Sequence, residues 1–121
     1  MTEEIPPQER QPRSKNIPRN LKPYFLGFLM KGAHWNDTAG SEDLQPKQLA
    51  FLRAQIEAGK YIVAGPVTDG GEMVGFAIIE AANLEVAQTI IAEDPAVKAG
   101  RLTAEVRPSF LPSLAGVKVE F

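Results

Sequence analysis

The chain has 121 residues, 44% hydrophobic and 23% charged, a composition that supports one domain with its own core and excludes a disordered or fibrous chain. Thirteen Lys and Arg against fifteen Asp and Glu leave a formal charge of −2, so nothing draws the chain toward phosphate backbones and nucleic acid is not an expected partner. With no cysteine and one histidine, disulfides, thiol nucleophiles and multi-histidine metal sites are excluded, and neither a metal nor a cofactor is indicated.

Residues 1–22 hold Pro6, Pro7, Pro12 and Pro18 among mixed charges and almost no large apolar side chains. Such a segment cannot offset its ordering entropy, and a flexible N-terminal arm is expected. It has no apolar h-region, which points to a cytoplasmic location. The longest apolar run, Tyr24 to Met30, falls far short of the ~20 residues that span a bilayer, so no membrane is expected. The remainder, 23–121, reads as a single domain with a C-terminal extension from about residue 109.

The run from Tyr24 to Met30, between Pro23 and Gly32, predicts a first strand. A polar loop, His34 to Asp43, leads to a helix starting near Pro46, with Leu49, Leu52 and Ile56 at helical spacing and Gly59 closing it. Tyr61 to Ala64 predicts a second strand ended by Gly65-Pro66. Asp69-Gly70-Gly71 turns the chain into a third, Met73 to Glu80. Asn83 is placed to cap a second helix carrying Leu84, Ala87, Ile90 and Ile91, which Pro95 closes at Asp94. Leu102, Ala104 and Val106 alternate with Thr103, Glu105 and Arg107 in a half-exposed outer strand stopped by Pro108. Val117, Val119 and Phe121, at period two, offer one more strand to this sheet or a neighbour's.

Strand, helix, strand, strand, helix, strand is the ferredoxin-like βαββαβ arrangement, an α+β fold with an antiparallel sheet and two helices on one face. The first three strands are nevertheless apolar on both faces, so something must cover the open side. A second copy of the sheet does so most simply, giving a homodimer.

Following strand direction through this topology brings the loop after the first strand, the start of the first helix, the Gly65–Gly71 hairpin and the end of the second helix to one end. His34, Trp35, Gln48, Gly65, Pro66, Asp69 and Asp94 gather there as candidate site residues. Asp69 before two glycines also reads as a turn former, and Trp35 as pocket wall.

Gln48-Leu-Ala-Phe-Leu52, Glu57-Ala-Gly59, Ala64-Gly-Pro66, Asp69-Gly70, Glu93-Asp-Pro95, Ala99-Gly100 and Glu105-Val-Arg-Pro108 together resemble, in order and spacing, the YCII-related family over about Tyr24 to Pro108. The resemblance implies a dimeric α/β-barrel type of ferredoxin-like domain, and a site pairing a histidine on the first helix with the Asp-Pro aspartate, here Asp94. Gln48 stands at the position of that histidine, and an amide is neither acid nor base near neutral pH. The single imidazole, His34, comes to the same end, so a displaced His34–Asp94 catalytic pair is expected, with Trp35, Gln48, Gly65, Pro66 and Asp69 around a small-molecule ligand.

Two functions remain open. One is a cofactor-independent acid–base enzyme of isomerase, lyase or dehydrochlorinase type acting on a small cyclic or aromatic compound, as the resemblance implies. The other is a non-catalytic dimeric small-ligand-binding or regulatory module.

Overall fold

Short apolar runs bounded by Gly and Pro become strands here, and stretches with apolar residues every three or four positions become helices. In the computed structural model, which describes residue 16 and residues 18–121, the order is β1 (Leu21–Lys31), α1 (Ser41–Glu57), β2 (Tyr61–Pro66), β3 (Met73–Ile79), α2 (Leu84–Ala92), α3 (Pro95–Lys98) and β4 (Leu102–Pro112). The strands form one sheet in the order β2-β3-β1-β4, antiparallel throughout. This is the ferredoxin-like α+β arrangement with the short α3 inserted before β4. The expected flexible arm falls mostly on residues 1–15 and 17, which lie outside the described residues.

Strand alternation sorts the two faces of the sheet. Phe25, Gly27 and Leu29 of β1 stand beside Ile79, Ala77 and Gly75 of β3 and beside Pro108, Val106 and Ala104 of β4. This face carries the core, in which Leu29, Tyr61, Ala77, Ile79 and Leu102 meet Ala87 and Ile91 of α2 and Ala96 of α3. On the opposite face the paired residues Leu26/Ile78 and Phe28/Phe76 are only partly buried.

Several boundaries differ from those predicted. β1 starts at Leu21, ahead of Pro23, because β4 pairs with it as far as Pro112. Pro108 therefore does not stop β4; on an edge strand a missing donor is tolerated. α1 begins at Ser41 after Gly40 at φ 76, so Pro46 lies inside the helix, where it removes only the bond to the carbonyl of the exposed Glu42. Asn83 caps α2 as expected, accepting from Val86 N at 2.9 Å. Pro95, however, opens a further helical turn, the first position of a helix being one where proline fits. The C-terminal residues add no strand to the described sheet. Leu114 N donates to the Tyr24 hydroxyl at 2.8 Å, and the Phe121 ring lies 4.6 Å from the Arg53 guanidinium.

The absence of a side chain at Gly27 lets α2 settle onto β1. A Cβ there would stand 2.6 Å from Ile91 Cδ1. Gly27→Ala is therefore expected to cost about 1–3 kcal/mol, the usual range for overpacking. Because Ile91→Val removes the obstructing atom, the double variant should lose less in thermal unfolding than the sum of the two single losses. Simple additivity would show that close approach is not the reason for glycine.

Candidate functional site

The chain leaves α2 and immediately reverses at Asp94, whose side chain accepts from Ala96 N at 2.8 Å and so begins α3. Its carboxylate is fully buried. α1 passes alongside and contributes Gln48, whose Nε2 lies 3.4 and 3.3 Å from the two carboxylate oxygens. A carboxylate accepts, so the amide nitrogen must be the end turned toward it, leaving Oε1 and the second N–H for other partners. These bonds are long, yet they fix which way the amide faces.

α1 lies over β2 and α3, and none of its residues is fully buried. Between the helix and the sheet a cleft of about 500 Å³ opens, with Leu29, Leu52, Ala64 and Leu102 as apolar lining and Trp35, Gln45 and Gln48 as its polar and aromatic members. A smaller chamber of about 290 Å³ shares Trp35, Gln45, Gln48 and Leu102 with it and adds Ser41 and Arg101. These volumes suit a small molecule. Among the described residues no group of three or more His, Asp or Glu is placed to hold a metal ion.

The expected His34–Asp94 pair is not formed. His34 Nδ1 bonds Asp37 Oδ2 at 3.0 Å, and the imidazole side chain is 60% exposed. Its backbone N–H donates to Gly100 O at 2.9 Å, and Gly100, at φ 74, leaves room for the ring, since a Cβ there would stand 2.7 Å from His34 Cδ2. A carboxylate three residues away captured the imidazole, while Asp94 had been taken by α1 and by its own helix turn. Trp35, Gln48, Gly65 and Pro66 do line the cleft. Asp69 does not: it is exposed, and its carboxylate accepts from Gly71 N at 2.9 Å in the hairpin turn. Sequence reasoning missed Leu49, Gln45 and Arg101. Leu49 was grouped by helical spacing with core residues but is 59% exposed and borders the cleft.

The YCII-related domain family matches residues 28–108, more than half of the chain. The chain belongs to the YCII-related family. Among solved structures, the 5-chloro-2-hydroxyhydroquinone dehydrochlorinase of Burkholderia phenoliruptrix, in complex with 2,5-dihydroxybenzoquinone, is 26% identical, with a TM-score of 0.46 over 69% of this chain and 90% of its own. Among curated proteins no relative matches.

One further polar group of this YCII-related domain lies behind the cleft. Tyr61, 2% exposed, packs edge-on against Phe51 of α1 with ring centroids 5.9 Å apart. Among the described residues its hydroxyl has no hydrogen-bond partner. Burial pushes its pKa well above the ordinary tyrosine value, and the charge of Asp94 adds to the shift. A buried hydroxyl without an acceptor is a cost, so Tyr61→Phe is expected to raise stability by about 1 kcal/mol in chemical denaturation. The raised value also means that ionisation of Tyr61 leaves stability untouched below the ordinary tyrosine pKa of ~10 and lowers it as pH rises beyond that. The alkaline loss should therefore be smaller in Tyr61→Phe. A destabilised variant would reveal an acceptor for the hydroxyl.

Proposed function

We propose that this YCII-related domain binds a small cyclic or aromatic compound carrying a hydrogen-bond donor, held in the cleft between α1 and the sheet. The observation that carries the reading is the oriented amide of Gln48. With Nε2 turned to Asp94, Oε1 is the acceptor that a ligand hydroxyl can meet, and the apolar lining with Trp35 suits a ring. An amide accepts a hydrogen bond but does not take the proton, so Gln48 serves recognition.

A second reading, acid–base turnover of such a compound, is favoured by the buried Asp94 carboxylate behind Gln48. It requires the ligand to displace the amide and reach the carboxylate. Product formation by the wild type and none by Asp94→Asn would carry that reading.

The same proposal includes a homodimer in the cytoplasm. Supporting the dimer is the second sheet face, where Leu26, Phe28, Phe76 and Ile78 stay partly exposed. Among the described residues no helix is long and apolar enough to cross a membrane.

Phenol and anisole separate a donor from its methylated counterpart at nearly the same shape. Ligand-observed NMR should show phenol binding the wild type about fivefold more tightly, the worth of one hydrogen bond of about 1 kcal/mol. That advantage should vanish in Gln48→Ala. Equal binding of both probes to the wild type would remove Gln48 from recognition.

A further inference from the structure

The smaller chamber beside the cleft is bordered by a cation that neutral groups hold in place. Lys22, Arg53, Lys98 and Arg107 each bond a carboxylate, on Glu80, Glu57, Glu93 and Glu105 respectively. Arg101 has only neutral acceptors among the described residues: Nη1 donates to Ser41 Oγ at 3.0 Å, and Nη2 donates to the Ala39 carbonyl. A guanidinium has five N–H groups in a planar fork, so donors remain after those two bonds. The nearby acids Glu42 and Asp43 on the first turn of α1 are exposed and do not bond it.

Both bonds hold the guanidinium at the head of α1 and neither neutralises it. Arg101 borders the chamber together with Trp35 and Gln48, and Lys31 Nζ, 5.5 Å from the Trp35 ring centre, adds a second positive charge on that side. A half-buried cation fixed in position and lacking a counter-charge favours an anion, and the planar fork matches a carboxylate in particular.

We infer that Arg101 anchors a carboxylate substituent on the ring held in the cleft, so that the site selects aromatic carboxylates over neutral rings. The inference rests on the reading of the cleft as a small-molecule site and adds the substrate class. Gln48 then meets a ring hydroxyl, Trp35 and Leu102 flank the ring, and Arg101 meets the charge. The latch from Arg101 to Ser41 and Ala39 supplies the preorganisation: the side chain is already ordered before a ligand arrives.

The probes are 3-hydroxybenzoate and 3-hydroxybenzamide, which differ chiefly in charge, titrated by NMR into the wild type, Arg101→Gln and Arg101→Lys. The acid should bind the wild type about tenfold more tightly than the amide, the lower end of what a charge-assisted hydrogen bond supplies. That preference should fall with added salt, disappear in Arg101→Gln and survive in part in Arg101→Lys. Equal affinities in the wild type, or a preference that persists in Arg101→Gln, would overturn the assignment. Should Arg101→Gln fail to fold because the latch is lost, the wild-type ratio and its change in Arg101→Lys still decide. Binding of the amide without preference for the acid defeats only the anionic assignment, whereas binding of neither probe defeats the small-molecule reading of the cleft with it.

Discussion

A carboxylate removed from water must be met by donors, because an unpaired buried charge is among the costliest defects a fold can carry. Asp94 is met twice, by the backbone N–H of Ala96 and by the side-chain amide of Gln48. The first bond starts α3 and so turns the chain from α2 toward β4. The second ties α1 to α3 across the helix layer. Together with Leu44, Phe51, Leu52 and Ile56, which α1 packs against the core, this tie sets where α1 lies and so where the cleft opens beside it.

The rest of α1 packs through side chains that are only partly buried, Leu44, Phe51, Leu52 and Ile56. Pro46 interrupts its hydrogen-bond ladder, Leu49 remains exposed, and no residue of the helix is fully buried. α2 is the opposite case, seated against β1 closely enough that Gly27 must lack a side chain. One firmly packed helix and one loosely packed helix over a single sheet leave space at the loose side. That space is the cleft, with small residues such as Ala64 and Gly65 beneath it. At the edge of that space the Gln48 amide bonds Asp94, and an amide is neither acid nor base near neutral pH.

Much of the fold was legible because its punctuation is chemical. Pro66, Gly59 and Asn83 end or begin elements for reasons local to each residue, and four strands with two long helices in this order leave few topologies. The passage of β4 through Pro108 was not legible, since a proline reads as a stop until the strand is known to be at an edge. Nor did helical spacing reveal that Leu49 would border a cleft, because periodicity gives a stripe and not the tilt of the helix against its sheet. The site was half legible. Topology brought Trp35, Gln48, Gly65 and Pro66 to the end where the cleft opens, but it carries no information on side-chain direction, and the local carboxylate of Asp37 claimed His34. Arg101 gave no signal, as its partners at Ala39 and Ser41 lie some sixty residues away in sequence.

The clasp between Gln48 and Asp94 carries both the architecture and the proposed recognition, and hydrogen exchange of the side-chain amides measures it directly. Gln45, exposed three residues earlier on the same helix, is the internal reference. The Gln48 NH₂ protons should exchange more slowly than those of Gln45, and the difference should disappear in Asp94→Ala. Exchange at the same rate for both residues in the wild type would contradict the account, leaving Asp94 without its second donor and α1 without the tie that positions it.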